Sequence, residues 1–132
     1  MTINIFKKTI LLHIFIFLSM ILVAIIEETF FPYEEVESDT SIAFVILLFF
    51  IIVLLPFMWY CLYKLKPIGK RLFILYLILG LIIFFVAPDD SYIITTVTPV
   101  TPFFEFSESV YALLDGVVLA FLFFTDVKEN FK

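Results

Sequence analysis

The sequence predicts an all-α fold, a bundle of four transmembrane helices that forms one integral membrane domain over residues 1–132. Hydrophobic residues make up 64% of the chain and its mean hydropathy is +1.18, whereas a soluble domain contains about 45–50% apolar residues. The apolar residues form four long runs, at residues 10–26, 42–63, 72–87 and 110–125. All eight basic residues lie on one side of that pattern, which is typical of a multi-pass membrane protein.

The distribution of charge predicts the orientation of the four helices. The basic residues precede the first run, separate the second from the third and follow the fourth: Lys7, Lys8, Lys64, Lys66, Lys70, Arg71, Lys128 and Lys132. The other two connections hold ten acids and no base: Glu27, Glu28, Glu34, Glu35, Glu37, Asp39, Asp89, Asp90, Glu105 and Glu108. Short cytoplasmic loops are enriched in Lys and Arg. We therefore expect a protein of the inner membrane with both termini and the basic middle loop in the cytoplasm, that loop as an anchor, and an acidic outer surface.

The first two runs have the composition of helices that cross the membrane. Run 10–26 has about 17 residues, the short end for one span, and it lacks the A-x-A pattern of a signal-peptide cleavage site. Run 42–63 has about 22 residues, enough for one span. It contains Pro56, which is expected to bend the helix. The basic segment that follows contains Pro67 and Gly69, and these residues predict a tight turn into the third helix.

The last two runs are separated by the longest connection. Run 72–87 ends at Pro88 and two acids, a stop signal, and run 110–125 is expected to begin after a cap at Ser107 or Ser109. Within the connection, residues 92–98 are rich in β-branched side chains, which favour a short strand. A connection of about 22 residues with such apolar content is expected to pack as a partly ordered acidic cap outside the membrane.

The fourth run contains a stripe of small residues. Ala112, Gly116 and Ala120 are four residues apart, so they lie on one face of a helix. Since lipid supplies no hydrophobic drive between helices, small residues at this spacing allow close contact of two helix backbones. The stripe predicts a packing seam, either inside the bundle or between two protomers.

Asp115 and His13 are the polar residues that could carry chemistry inside the membrane. An intramembrane acid is unfavourable by roughly 2.5–3.5 kcal/mol at the bilayer centre. Asp115 is therefore either a proton- or cation-binding position or a shallow acid that reaches the outer surface, with Tyr111 or outer-loop hydroxyls as companions. His13 is expected near the cytoplasmic end of the first helix. The two residues would then lie in opposite leaflets, about 15 Å apart in depth, too far apart for a proton relay.

The composition argues against catalysis, a cofactor and nucleic-acid binding. The chain has one His and one Cys, too few ligands for a transition-metal site. No nucleophile–base pair or glycine-rich phosphate loop can be assembled from the sequence, so an enzyme is not expected. The outer acids could attract Ca²⁺, Mg²⁺ or a cationic partner, but they lack the spacing of a dedicated cation loop. Solubility and orientation are the favoured explanation of these acids.

Two short stretches resemble parts of small, functionally uncharacterised bacterial inner-membrane proteins with four spans. The first is Leu113-Leu114-Asp115-Gly116-Val117-Val118-Leu119-Ala120 with the terminal Asp126-Val127-Lys128-Glu129-Asn130-Phe131, and the second is the turn Lys66-Pro67-Ile68-Gly69-Lys70-Arg71. The resemblance covers about a third of the chain and implies a bacterial inner-membrane protein. It implies no activity.

Three functions are compatible with these features. The first is a non-enzymatic accessory protein or subunit of a membrane complex, whose partners are the lipid bilayer and another membrane protein or a second copy of the chain. The second is an oligomer that conducts ions or protons, or transports a small solute, along a path lined by Asp115. The third is an immunity-type protein that protects a bacterium from a membrane-directed toxin. No residue selects this third function over the others.

Overall fold

The computed structural model of the protein describes residues 2–30, 42–86 and 101–131, and all the regular structure in those ranges is helical. The four α-helices are α1 (Thr2–Phe30), α2 (Ile42–Tyr63), α3 (Pro67–Val86) and α4 (Thr101–Phe124), and a short 3-10 helix, η1 (Asp126–Asn130), follows α4. The predicted all-α class with four helices is confirmed. The predicted strand at residues 92–98 lies outside the described residues.

Three of these helices are long and apolar enough to cross a membrane. They are Thr2–Phe30, Val45–Tyr63 and Pro102–Phe124, with 29, 19 and 23 residues. These spans identify the chain as a membrane protein. Helix α3, which contains residues 72–86 of the predicted third run, is not among the three spans found in the described residues.

The observed helix boundaries differ most from the predicted ones where a proline lies near the start of a helix. Helix α2 has the predicted bounds and continues through Pro56, but α3 begins at Pro67 and α4 at Thr101, before the predicted starts at 72 and 110. Proline fits the first turn of a helix, because its missing N–H would have no partner there. Pro67 and Pro102 therefore begin helices and do not break them. The predicted cap at Ser107 or Ser109 is wrong, since both serines lie inside α4 and Ser109 Oγ donates to the Glu105 carbonyl (2.9 Å).

The helices form two compact units, one of α1, α4 and η1 and the other of α2 and α3 with Phe131. In the first unit α1 and α4 are antiparallel. The α1 residues Phe6, His13 and Phe17 contact Phe121, Asp115 and Tyr111, so partner numbers fall along α4 as they rise along α1. The apolar core of this unit consists of Phe6, Ile10, Leu114, Val118, Leu122 and Val127 of η1.

The second unit is a hairpin whose turn has a well-defined backbone structure. Leu65 has a φ of 56° and follows the end of α2. The Lys66 amide donates to the Cys61 carbonyl (2.8 Å) and the Leu65 amide to the Leu62 carbonyl (3.0 Å). This bonding pattern is a Schellman motif, which satisfies the last carbonyls of a helix. A tight turn is therefore present, but it is shorter than predicted, because α3 begins at Pro67 and so contains both Pro67 and Gly69.

Candidate functional site

A partly buried hydrogen bond joins His13 of α1 to Asp115 of α4. The distance from His13 Nε2 to Asp115 Oδ1 is 2.9 Å, and the side chains are 1% and 16% exposed. His13 is the twelfth of 29 residues in α1, and Asp115 is the fifteenth of 24 in α4. This arrangement, termed the His–Asp pair below, lies near the middle of both helices.

The expectation that His13 and Asp115 lie in opposite leaflets was wrong. Helix α4 begins at residue 101 and not at 110. Nine further residues of helix, at about 1.5 Å each, lengthen it by roughly 13 Å. With this added length Asp115 lies well inside α4 and level with His13. The shift is nearly as large as the separation in depth that was expected from the sequence.

Aromatic rings surround the His–Asp pair along the interface. The Tyr111 ring lies against the His13 imidazole with centroids 4.1 Å apart, and Phe17 contacts Tyr111 from the next turn of α1 at 6.0 Å. Towards the N-terminus of α1, Phe6 and Phe121 meet edge to face at 5.7 Å. Because the pair is shielded from solvent, its hydrogen bond is electrostatically stronger than one in water. Such a bond holds α1 and α4 together in one register.

Two further polar residues are buried in the same pair of helices. Glu27 of α1 is 7% exposed and Ser107 of α4 is 2% exposed. Glu27 was expected on the acidic outer surface, and the structure places it in the interior instead. The sequence carries a weak signal for this: Ser107 and Tyr111 precede Asp115 at intervals of four, and Glu27 follows His13 by two heptads.

The other predicted outer acids divide into two groups. Glu28, Glu105 and Glu108 are exposed at the ends of α1 and α4, which agrees with a charged surface there. The remaining six lie outside the described residues: Glu34, Glu35, Glu37, Asp39, Asp89 and Asp90.

The small-residue face of α4 (Ala112, Gly116 and Ala120) is not packed on α1. All three residues are exposed, and a Cβ atom added at Gly116 would meet nothing within 4 Å. Leu114 and Val118 are buried and precede or follow Gly116 by two residues, which is about 200° around a helix. Helix α1 therefore packs on the opposite side of α4, and the predicted seam is not the contact between these two helices.

The predicted cytoplasmic anchor lies in and after the α2–α3 turn. Lys64, Lys66 and Arg71 are exposed and Lys70 is half-buried. The Lys66 Nζ lies 4.8 Å from the centroid of the Tyr60 ring, a distance suited to a cation–π contact. The charges are therefore gathered at one end of the hairpin.

Within residues 2–30, 42–86 and 101–131, no group of three or more His, Cys, Asp or Glu side chains could hold a metal ion.

The His–Asp pair can hold a proton between two side chains, and the small-residue face of α4 can be presented to another helix. Both features belong to the α1–α4 unit.

The resemblance to bacterial four-span proteins stays a prediction. Comparison of the chain with models of protein families, with curated proteins and with solved structures found no match.

Proposed function

We propose that this protein is a non-enzymatic accessory protein or subunit of a complex in a bacterial inner membrane. Its partner would be another membrane protein, bound through the small-residue face of α4. The observation that supports this proposal is the exposure of Ala112, Gly116 and Ala120 on the side of α4 turned away from α1.

The physical basis is the way in which helices associate in lipid. Without a hydrophobic drive, association depends on close van der Waals packing, which small side chains permit over a length of several turns. The stripe extends over two turns of α4. Because the His–Asp pair fixes α4 to α1 from the other side, α4 would offer this face without first having to be ordered. That preorganisation favours binding, since less conformational freedom is lost.

The charges support a second contact with the same partner. Glu28, Glu105 and Glu108 are exposed near the end of the unit where α1 finishes and α4 begins. In the orientation that the basic residues favour, with both termini in the cytoplasm, this end faces outwards. A partner with basic residues just outside the membrane would be attracted there, mainly through a faster rate of association.

Purification of a tagged copy from native membranes in a mild detergent tests this proposal. We expect a stable companion of different sequence in the wild-type particle. Gly116→Leu should reduce the recovered companion by about tenfold or more, because a branched side chain separates the two backbones.

Gly80→Leu is the matched control. Gly80 is also an exposed glycine inside an apolar helix, and a Cβ atom there likewise meets nothing within 4 Å. This variant should retain the companion. The proposal would be contradicted if Gly116→Leu and Gly80→Leu recovered equal amounts of the companion. It would also be contradicted by a particle that contains only the tagged chain, in one or several copies.

A further inference from the structure

Polar side chains recur along the buried interface of α1 and α4 on one side of the His–Asp pair. On α4, Ser107, Tyr111 and Asp115 follow one another at intervals of four residues, so they form a line along one helix face. Ser107 is 2% exposed and the Tyr111 hydroxyl oxygen is buried. Ser107 and the Tyr111 hydroxyl are thus out of contact with solvent, whereas Tyr111 and Asp115 as whole residues are half-buried.

Glu27 extends the line on α1. It follows His13 by fourteen residues, which places it within about 40° of the same face and roughly 21 Å further along the helix. The antiparallel register places this part of α1 level with the first turn of α4. Ser107 and Tyr111 lie at levels between Glu27 and the His–Asp pair. We call Glu27, Ser107 and Tyr111 the polar line.

On the other side of the pair, the buried side chains among the described residues are apolar. Ile10 and Phe6 follow on α1, and Val118 and Leu122 follow on α4, all of them buried. The edge-to-face contact of Phe6 with Phe121 closes this side. The buried polar side chains of this interface therefore lie only on the side of the pair towards the end of the unit where α1 finishes, within the part of the chain that the structure describes.

We infer that the His–Asp pair is a proton-binding site and that the polar line is its route of access. This inference is independent of the proposed partner contact, because it concerns the residues of α4 that contact α1. A neutral imidazole and a carboxylate together carry one negative charge. Hydronium transfers a proton to the pair and leaves as water, and the pair becomes neutral overall. The added proton is held on the second imidazole nitrogen or on the carboxyl group.

Burial supplies the driving force for this uptake. A net charge in an apolar interior is unfavourable, and the neutral pair avoids it while keeping the hydrogen bond. Glu27 and Tyr111 are the titratable groups on the same face. The other charged side chains of this unit with defined placement are exposed, apart from half-buried Lys7: Lys8, Glu28, Glu105, Glu108, Asp126, Lys128 and Glu129.

Because the interface is apolar beyond the pair, the bound proton enters and leaves by the same route. The site therefore binds a proton without conducting it across the membrane. This distinguishes it from a channel lined by Asp115, which would need polar access from both ends.

The single histidine of the chain makes the site directly observable. The full-length protein, labelled with nitrogen-15 in histidine only, would be reconstituted in lipid vesicles and studied by NMR from about pH 4 to pH 10, which brackets ordinary histidine titration. We expect one protonation event in the imidazole signals as the pH falls, with a changed midpoint in Asp115→Asn. Imidazole signals that do not respond to pH would overturn the inference.

The route of access is tested by two neighbouring carboxylates. Glu27→Gln should slow proton exchange at His13 by about tenfold or more, while Glu28→Gln, at an exposed position, should change it by less than about twofold. Equal exchange rates in the two variants would show that Glu27 is not on the route. Vesicles with the wild-type protein should acidify no faster than empty ones, and faster acidification would exclude a site closed at one end. Neither result depends on whether a partner binds α4.

Discussion

At the scale of single residues, His13 and Asp115 explain how an acid is accommodated in the middle of a spanning helix. Each supplies the other with a hydrogen-bond partner at 2.9 Å, and the Tyr111 ring covers the imidazole. An Asp without a partner at the centre of a spanning helix would be unfavourable by roughly 2.5–3.5 kcal/mol, which opposes insertion. The pair therefore stabilises the α1–α4 contact and makes α4 compatible with a membrane.

A double-mutant cycle measures the strength of this pair. His13→Ala, Asp115→Ala and the double variant should give a coupling free energy of about 0.6 kcal/mol, up to about 1.7 kcal/mol, which is the range for hydrogen bonds between membrane helices. Unfolding in mixed detergents, followed by circular dichroism, provides the free energies.

A cycle of Ser19→Ala with Asp115→Ala is the control. Ser19 Oγ donates within α1 to the Ile16 carbonyl (2.7 Å), so its effect should add to that of Asp115→Ala without coupling. A His13–Asp115 coupling no larger than this background would show that the hydrogen bond does not hold the two helices together.

At the scale of elements, the α2–α3 turn depends on one glycine. A Cβ atom at Gly69 would lie 3.0 Å from the Cys61 carbonyl carbon and 3.0 Å from the Leu62 amide nitrogen. These are backbone atoms and cannot rotate away as a side chain does. The start of α3 can approach the end of α2 so closely because residue 69 has no side chain.

Gly69→Ala should destabilise this hairpin. We expect a loss of about 1–3 kcal/mol in the free energy of unfolding, the usual effect of added volume in a packed site. Gly80→Ala is the control: its Cβ atom meets nothing within 4 Å, so it should be neutral or stabilising by up to about 1 kcal/mol through helix propensity. Thermal unfolding in detergent compares the two variants, and equal stabilities would refute the close approach.

At the scale of the whole molecule, the antiparallel arrangement of α1 and α4 constrains the number of membrane crossings. If both helices span, the end of α1 and the start of α4 lie on the same side of the membrane. The chain between them must then cross an even number of times. If α2, which is long and apolar enough to span, also crosses, a second crossing is required after it. Helix α3 follows α2 directly through a tight turn, and four spans would result if α3 made this second crossing.

Cysteine labelling tests the crossings and their direction. Single cysteines at Glu28, Lys66 and Asn130, each exposed, would be placed in a Cys61→Ser background. With four spans and cytoplasmic termini, an impermeant maleimide should label position 28 in intact cells and positions 66 and 130 only after permeabilisation. If position 66 were labelled in intact cells, the orientation would be the opposite of the predicted one. If position 130 were labelled in intact cells but position 66 were not, α3 would not cross the membrane.

The sequence predicted those features that depend on local composition. The all-α class and the bounds of α2 follow from a long apolar run. A tight turn after α2 was predicted from Pro67, Gly69 and the surrounding bases, although Pro67 and Gly69 lie in the first turn of α3. Local patterns gave the start of α4 incorrectly, because Pro102 and the acids after it were interpreted as part of a loop, although proline is well placed in a first helical turn.

Three features are seen only in the tertiary structure. They are the pairing of His13 with Asp115, the burial of Glu27 and the exposure of the small-residue face. These features depend on which side of α1 meets which side of α4, and at what register. In a membrane helix both the lipid-facing and the protein-facing sides are apolar, so hydropathy contains little information about the inward side. A one-dimensional pattern can therefore place a segment in the membrane, whereas the choice of neighbour for each polar side chain is made by packing between distant parts of the chain.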